Sequence, residues 1–399
     1  MSASQSTLNS PVSEAAAVPE RIAAAWPFQT RPRRVVIKLG SNILTTGQGT
    51  LNVERIRVVA NQVSLLREAG TQVVIVSSGA VAAGMGAMGF KKRPTELAQL
   101  QGLAAIGQSR LMTAWNEAFL EHATSAAQVL VTRSDLEDRK RYLNAQQTME
   151  SLLEMEAVPV INENDTVVTE ELTFGDNDML SAVVTAVLAA DLLVILTDIE
   201  GLFTAPPNQV PDAKRIPVVH TVNAEIERIA GGIGSTLGRG GMQTKVSAAR
   251  HATSFGIPAV IADGRRDTML SEIIGGRFAG TLFLPRPGSR LRGKARTHWI
   301  AMRRPRGTVV VDDGARTALV EQNRSLLPVG VVAVEGTFTR GDIVAIRTRS
   351  GEDIGRGLSN FSSQELESIR GRKGKELADL LGARATCNEV VHRNNLHLR

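Results

Sequence analysis

The sequence predicts an α/β fold: a mostly parallel sheet covered by helices on both faces, followed by a small β-rich domain. Three observations predict it. Short apolar, β-branched runs at residues 35–39, 73–76, 158–161 and 192–196 read as strands buried on both faces. Stretches of helical period separate them, and such alternation argues for a parallel, doubly covered sheet. After residue 306 the pattern changes to brief apolar runs between glycine turns, at 309–311, 331–334 and 343–346, which reads as a small β domain.

Composition sets the bounds. A chain of 399 residues with 43% hydrophobic content is long enough for two or three domains with a large core. The single Cys387 excludes an internal disulfide and fits a reducing compartment, so a cytoplasmic location is expected. The six histidines show no metal-ligand spacing, and His392 and His397 fall in the last residues, expected to fray. The longest apolar stretch, 179–196, is interrupted by Ser181, Thr185 and Asp191. A membrane span needs about 20 apolar residues, so a helix, a turn and a strand are expected there instead.

Residues 1–31 are expected to be a disordered extension: Ser, Ala and Pro recur without a period, and neither the basic start nor the apolar core of a signal peptide is present. A first large domain is expected over 32–285. Its first strand carries Lys38 near its end, followed by Gly40-Ser41-Asn42. A lysine in so apolar a strand is costly unless it leaves the sheet edge or meets an anion, and the neighbouring glycine lets backbone N–H groups approach one. Asn52 caps a helix whose apolar positions Ile56, Val59, Val63 and Leu66 keep helical spacing up to Gly70. The strand at 73–76 leads into Ser77-Ser78-Gly79-Ala80, again a small-polar turn before a helix.

Gly84, Gly86 and Gly89 spell G-x-G-x-x-G, yet the dinucleotide fingerprint must follow its strand directly and here residues 77–83 intervene. A flexible helix end or loop is expected. A helix over 95–119, a strand at 128–131 and a helix over 135–155 come next. Two polar clusters then bracket one loop, Asn162-Glu163-Asn164-Asp165 after the strand at 158–161 and Gly175-Asp176-Asn177-Asp178 before a helix over 181–190. Asp and Asn are ordinary turn residues. Two such clusters beyond the carboxyl end of a strand point instead to a polar ligand. The strand at 192–196 ends in Thr197-Asp198. A helix over 224–229 precedes a glycine-rich loop, 231–241, which opens a helix near Met242 with Lys245 in its first turns and Arg239 in the loop. That is phosphate-binding chemistry, although no Walker A pattern occurs.

Residues 286–306 hold eight Lys or Arg and no acid, with scattered Pro and Gly, and are expected to be a basic linker. The β-rich domain is expected over 307–385 and a tail over 386–399.

These motifs resemble the glutamate 5-kinase family of the amino acid kinase superfamily, with a C-terminal PUA domain. The resemblance runs from about Arg34 to the end of the chain. It rests on Val36-Ile37-Lys38-Leu39-Gly40, Val76-Ser77-Ser78-Gly79-Ala80, Val160-Ile161 with the Asn162–Asp165 cluster, Gly175–Asp178, Leu196-Thr197-Asp198 and Gly240-Gly241-Met242-Gln243-Thr244-Lys245, and, in the second domain, on Glu335–Asp342 and Ile354–Ser359. It implies transfer of the ATP γ-phosphoryl group to the side-chain carboxylate of L-glutamate, the first step toward proline. It implies Lys38, Lys245 and Asp178 as catalytic residues, and Ser78, Asp165 and Asn177 as glutamate-binding residues. ATP would be held by Lys38, Thr197, Asp198 and Arg239, Gly240, Gly241, Met242, Gln243, Thr244 and Lys245, with Mg²⁺ on its phosphates and no protein metal ligand. A homo-oligomer and feedback inhibition by proline belong to the same expectation, and no membrane partner does. Where relatives carry Tyr-Thr and a polar residue before Pro, this chain has Phe203-Thr204-Ala205-Pro206.

Two other readings stand beside it. A sister kinase would act on aspartate, N-acetylglutamate or a nucleotide; Asp165 near Asn177 suits a free ammonium rather than an acetamide. An RNA-binding protein would use the basic linker and the PUA domain, but the aromatic content of 4% offers few stacking platforms.

Overall fold

The computed structural model describes residues 12–46, 49–168, 177–207, 209–231, 241–286, 299–301, 303–372 and 388–398. The chain divides into two compact units, residues 1–292 and 293–399. In the first unit the elements follow as α1 (Val12–Ala25), β1 (Arg34–Leu39), α2 (Ser41–Leu44), α3 (Val53–Glu68), β2 (Gln72–Ser77), α4 (Ala80–Met88), α5 (Leu97–Leu120), β3 (Ala126–Val131), α6 (Arg133–Glu137), α7 (Arg139–Glu154), β4 (Val158–Glu163), α8 (Asn177–Val187), β5 (Leu192–Thr197), β6 (Val218–Val219), α9 (Ala224–Gly231), α10 (Met242–Ser254), β7 (Ala259–Asp263), α11 (Met269–Ile274) and β8 (Gly280–Phe283).

The strands form one eight-stranded sheet in the order β3-β4-β2-β1-β5-β7-β8-β6. β1 is central and parallel to both neighbours, with Lys38 opposite Val76 of β2 and Ile195 of β5. β4 and β3 extend the parallel run beyond β2, and β7 extends it beyond β5. β8 reverses, antiparallel to β7, and β6 pairs parallel with β8, so these two edge strands both run against the rest. The carboxyl ends of β1, β2, β4, β5 and β7 therefore share one edge of the sheet, the edge where open α/β sheets place ligands.

Alternation along β1 separates core from chemistry. Val35, Ile37 and Leu39 join a core that includes Ile56 and Val63 of α3 and Leu111 and Trp115 of α5. With a side-chain period of two, Lys38 points to the opposite face, where α8 lies against β1 and α10 packs on α8.

Several expectations are corrected. The G-x-G-x-x-G stretch is no flexible end: Gly84 and Gly86 lie inside α4 and Gly89 caps it. A Cβ on Gly84 would stand 1.9 Å from Leu103 O, and one on Gly107 1.8 Å from Ala80 O, so these glycines let α4 and α5 cross backbone to backbone. The presumed disordered extension carries α1. Ile22 is fully buried, and Trp26 sits edge-on to Phe28 at 5.3 Å and to Phe278 at 6.0 Å, so an apolar anchor holds a segment whose composition is otherwise loop-like. The helix expected over 135–155 breaks at Asp138, which caps α7 by accepting from the Arg141 backbone N–H. The helix expected to start at Ser181 begins at Asn177, taking two residues of the polar cluster into its first turn.

The second unit holds a five-stranded sheet in the order β10-β9-β11-β12-β13, made of β9 (Gly307–Val311), β10 (Val331–Gly336), β11 (Ile343–Thr348), β12 (Asp353–Leu358) and β13 (Leu396–Leu398). Helices Asp313–Val320 and Ser363–Ile369 accompany it. Part of the expected linker belongs to this unit: Trp299 and Ile300 are buried, and the Arg356 guanidinium donates to Ala301 O and Arg303 O. The expected fraying tail instead pairs as β13 with β12, and Val390, Val391 and His397 are buried. Residues 287–298 of the linker lie outside the described residues. Among the described residues, no helix is long and apolar enough to cross a membrane.

Two glycines of α5 should behave oppositely. A Cβ at Gly102 meets nothing within 4 Å, so Gly102→Ala should stabilise by about 0.5–1 kcal/mol through helix propensity. Gly107→Ala must push α4 and α5 apart and should destabilise by about 1–3 kcal/mol. Urea unfolding of both variants measures the contrast, and equal effects would refute the close crossing.

Candidate active site

The shared edge of the sheet gathers the sequence-predicted residues. Lys38 comes from the end of β1, Asn177 and Asp178 from the first turn of α8, Thr197 and Asp198 from the end of β5, and Lys245 from the first turns of α10. Lys38 Nζ stands 2.5 Å from Asp178 Oδ1. Lys245 Nζ stands 3.1 Å from Asp178 Oδ2, which also accepts from Thr244 Oγ1 at 2.8 Å. All three charged residues are buried, at 2% exposure for Lys38, 5% for Lys245 and 0% for Asp178. Burial alone would raise the Asp178 carboxyl. The charges of Lys38 and Lys245, with hydrogen bonds from Lys38 and Thr244, outweigh it and hold the group below the usual carboxylate range.

Beside this ion cluster lies an amide network. Asn177 Nδ2 donates to Ser77 O at 3.2 Å and to Asn162 Oδ1 at 2.9 Å, and lies 3.1 Å from Ser78 Oγ. Asn162 Oδ1 also accepts from the Glu163 backbone N–H at 2.9 Å, while Asn162 Nδ2 donates to Gln108 Oε1 at 2.9 Å. Trp115 Nε1 donates to Ser77 Oγ at 3.1 Å, so the buried indole steadies the turn that presents Ser78. Asp165 is half-buried in the turn after β4, whose Asn164 N–H donates to Val131 O.

A third group closes the edge at β5. Asp198 Oδ2 accepts from Asn42 Nδ2 at 2.9 Å and Oδ1 accepts from Thr197 Oγ1 at 3.0 Å. Burial would raise its carboxyl, but Asn42, the Asp198 backbone, Thr197 and the Lys245 charge lower it. Gly241 caps α10 without a side-chain hydrogen bond, and Met242, Gln243 and Thr244 follow in the first turn. Arg239 and Gly240, with Gly175 and Asp176 of the second polar cluster, lie outside the described residues.

Sequence reasoning missed Gln108, Asn162 as an individual residue, Trp115 as a donor, and Asn42. Signals for two of them existed. Gln108 falls on the stripe Ala104, Leu111 and Trp115, all buried, so it is an amide in an apolar face. Asn162 belongs to a strand that is buried throughout. Nothing in the sequence pairs Asn42 with Asp198, which are 156 residues apart.

A central parallel sheet with two lysines and an aspartate buried together at its carboxyl edge, beside a cluster of amides and a serine, is the frame of a phosphoryl-transfer enzyme acting on a small polar acceptor. The amino acid kinase family model matches residues 33–263, and the PUA domain model matches residues 307–381. The chain belongs to the amino acid kinase family. It is similar to the glutamate 5-kinase of Geobacter sulfurreducens, 50% identical over 368 residues that cover 92% of this chain and 98% of that protein. The glutamate 5-kinase of Trichlorobacter lovleyi is 48% identical over 367 residues, covering 92% and 96%. That of Pseudomonas fluorescens is 47% identical over 370 residues, covering 92% and 98%.

Removing the central carboxylate should show in stability as well as activity. Asp178→Asn leaves two buried lysines without their shared partner, a loss of about 3–5 kcal/mol. The sign with pH follows from the lowered carboxyl. The folded value lies below the unfolded one of about 3.9, so the contribution is present above that pH and is lost as pH falls through the folded value. The gap between wild type and Asp178→Asn in urea unfolding should stay constant through neutral pH and close below about pH 4. A gap that widens in acid would refute the assignment.

Proposed function

We propose that this chain transfers the γ-phosphoryl group of ATP to the side-chain carboxylate of L-glutamate, giving L-glutamyl 5-phosphate and ADP, the first step toward proline. The observation that carries the reading is the buried Lys38–Asp178–Lys245 cluster placed directly beside the hydrogen-bonded Asn177, Ser78 and Asn162 group. The two parts abut because Asn177 and Asp178 are consecutive in the first turn of α8.

The chemistry suits the residues. A glutamate side chain has an unperturbed pKa of about 4.3, so the nucleophile is already ionised at neutral pH and needs no general base. The obstacle is repulsion between two anions and their in-line placement. Lys38 and Lys245 neutralise the transferring phosphoryl group and the leaving oxygen of ADP. Asp178 orients both ammonium groups. Ser78, Asp165 and Asn177 hold glutamate, with Asp165 reading its α-ammonium. Thr197, Asp198 and the segment from Arg239 to Lys245 hold ATP. The described residues contain no group of three or more His, Cys, Asp or Glu that could hold a metal. In this reading Mg²⁺ would enter with ATP, keep several of its waters and supply charge neutralisation, and no protein ligand is named for it. A homo-oligomer, a cytoplasmic location and inhibition by proline belong to the same reading.

The test is a coupled ADP-release assay with glutamate, aspartate and N-acetylglutamate, with hydroxylamine trapping the acyl phosphate. Glutamate should be the preferred acceptor; equal turnover of N-acetylglutamate would move the assignment to a sister kinase. Lys38→Ala and Lys245→Ala should each lower kcat by roughly 10²–10³ while folding is retained, the usual loss for one preorganised transition-state group. Near-normal kcat in either variant would remove that lysine from the mechanism. Asp165→Asn should raise KM for glutamate and leave KM for ATP close to wild type, because losing one partner of a buried charge pair costs about 2–5 kcal/mol. Unchanged glutamate kinetics would end the role of Asp165.

A further inference from the structure

The amide network beside the ion cluster has only one polarity. Backbone groups set it at two points. The Glu163 N–H can only donate, so the atom of Asn162 that receives it at 2.9 Å is Oδ1. The Ser77 carbonyl can only accept, so the atom of Asn177 that reaches it at 3.2 Å is Nδ2. Asn177 Nδ2 and Asn162 Oδ1 then face each other as donor and acceptor at 2.9 Å. With both amides pinned, Asn162 Nδ2 needs an acceptor, and Gln108 Oε1 supplies it at 2.9 Å. Among the described residues, Asn177 Oδ1 takes no part in these bonds and is left for a ligand, and as an acceptor it matches an ammonium rather than a carboxylate.

We infer that Gln108, on α5, is a positioning residue for the amino-acid substrate: it holds Asn162, which in turn holds Asn177 with its acceptor oxygen presented to the substrate α-ammonium. The inference rests on the glutamate reading above. Asn162 is 4% exposed, so without Gln108 its Nδ2 would be a buried donor with no partner among the described residues. Such a group rotates toward any other acceptor, and that rotation breaks the bond to Asn177. Gln108 Nε2 is itself buried and has no partner among the described residues. The network therefore uses Gln108 as an acceptor alone. Gln108 lies on a different element from every residue to which a substrate contact was assigned, and it reaches the site through a relay rather than by contact.

The chemistry of a lone acceptor dictates the test. Gln108→Met keeps the volume and removes the acceptor; Gln108→Leu is a second acceptor-free variant; Gln108→Glu keeps an acceptor oxygen and deletes the idle donor. Steady-state kinetics with glutamate, and with glutarate as the analogue lacking the ammonium, are measured for each, together with thermal unfolding. In the acceptor-free variants KM for glutamate should rise about tenfold, the effect of one buried group left unpaired. KM for ATP should stay within about twofold and the preference for glutamate over glutarate should fall, since only the ammonium contact is loosened. Gln108→Glu should restore glutamate KM to within about threefold of wild type, because a carboxylate oxygen accepts as an amide oxygen does.

Unchanged glutamate KM in Gln108→Met, a parallel rise in both substrates' KM, or failure of Gln108→Glu to restore it would overturn the positioning role while leaving the kinase reading intact. Wild-type protein with no activity on glutamate would overturn the kinase reading, and this inference with it.

Discussion

The bond on which this structure depends is the shared grip of one buried carboxylate on two lysines. Asp178 takes Lys38 on one oxygen and Lys245, with Thr244, on the other. Burying such a cluster is costly, and a buried ion group is weak evidence of stability in its own right. Its retention in a well-packed unit is explained by what it holds ready: two ammonium groups fixed at the carboxyl edge of a parallel sheet. That arrangement sets the architecture. β1 must be central so that Lys38 is shielded on both sides by β2 and β5. α8 must begin at the sheet edge, and α10 must lie against α8 so that Lys245 reaches the same carboxylate.

The first turn of α8 divides the work between neighbours. Successive helical residues point about 100° apart, so Asp178 turns in to the lysines while Asn177 turns to Ser77, Ser78 and Asn162. Charge neutralisation and acceptor recognition thus share one rigid element. A change in how α8 seats on the sheet would move both together. This coupling suits a reaction whose difficulty is bringing two anions into line rather than moving a proton. The Asn42–Asp198 bond extends the same frame to the turn after β5, tying the short helix α2 that follows β1 to the predicted nucleotide side.

Lys38 stood out because a lysine inside an apolar strand demands an explanation, and the explanation is Asp178. The Asn162–Asp165 and Gly175–Asp178 clusters stood out because turn chemistry does not require two of them. By contrast, the glycines at 84, 86 and 89 carried a pattern with a familiar look and a different cause. Their real partner is Gly107, in a separate helix, and a spacing motif within α4 cannot show a crossing with α5. Trp26 and Ile22 were isolated apolar residues in a low-complexity context, and only their contact with Phe278 and the core gives α1 a place. Trp299, Val390 and Val391 were hidden in the same way inside a basic run and a terminal tail.

By itself the sequence determined the α/β class, the order of strands and helices around the site, and which polar residues stand at strand ends and helix starts. These follow from local rules: periodicity, capping and the cost of a charge in an apolar run. Tertiary structure alone decided which of those residues meet. Lys38, Asp178 and Lys245 are far apart in the chain, and the seating of α8 on β1 with α10 packed against α8 brings them within hydrogen-bond distance. It also decided the polarity of the Gln108–Asn162–Asn177 relay. An amide can face either way in a sequence, and only a fixed backbone N–H or carbonyl beside it removes the choice.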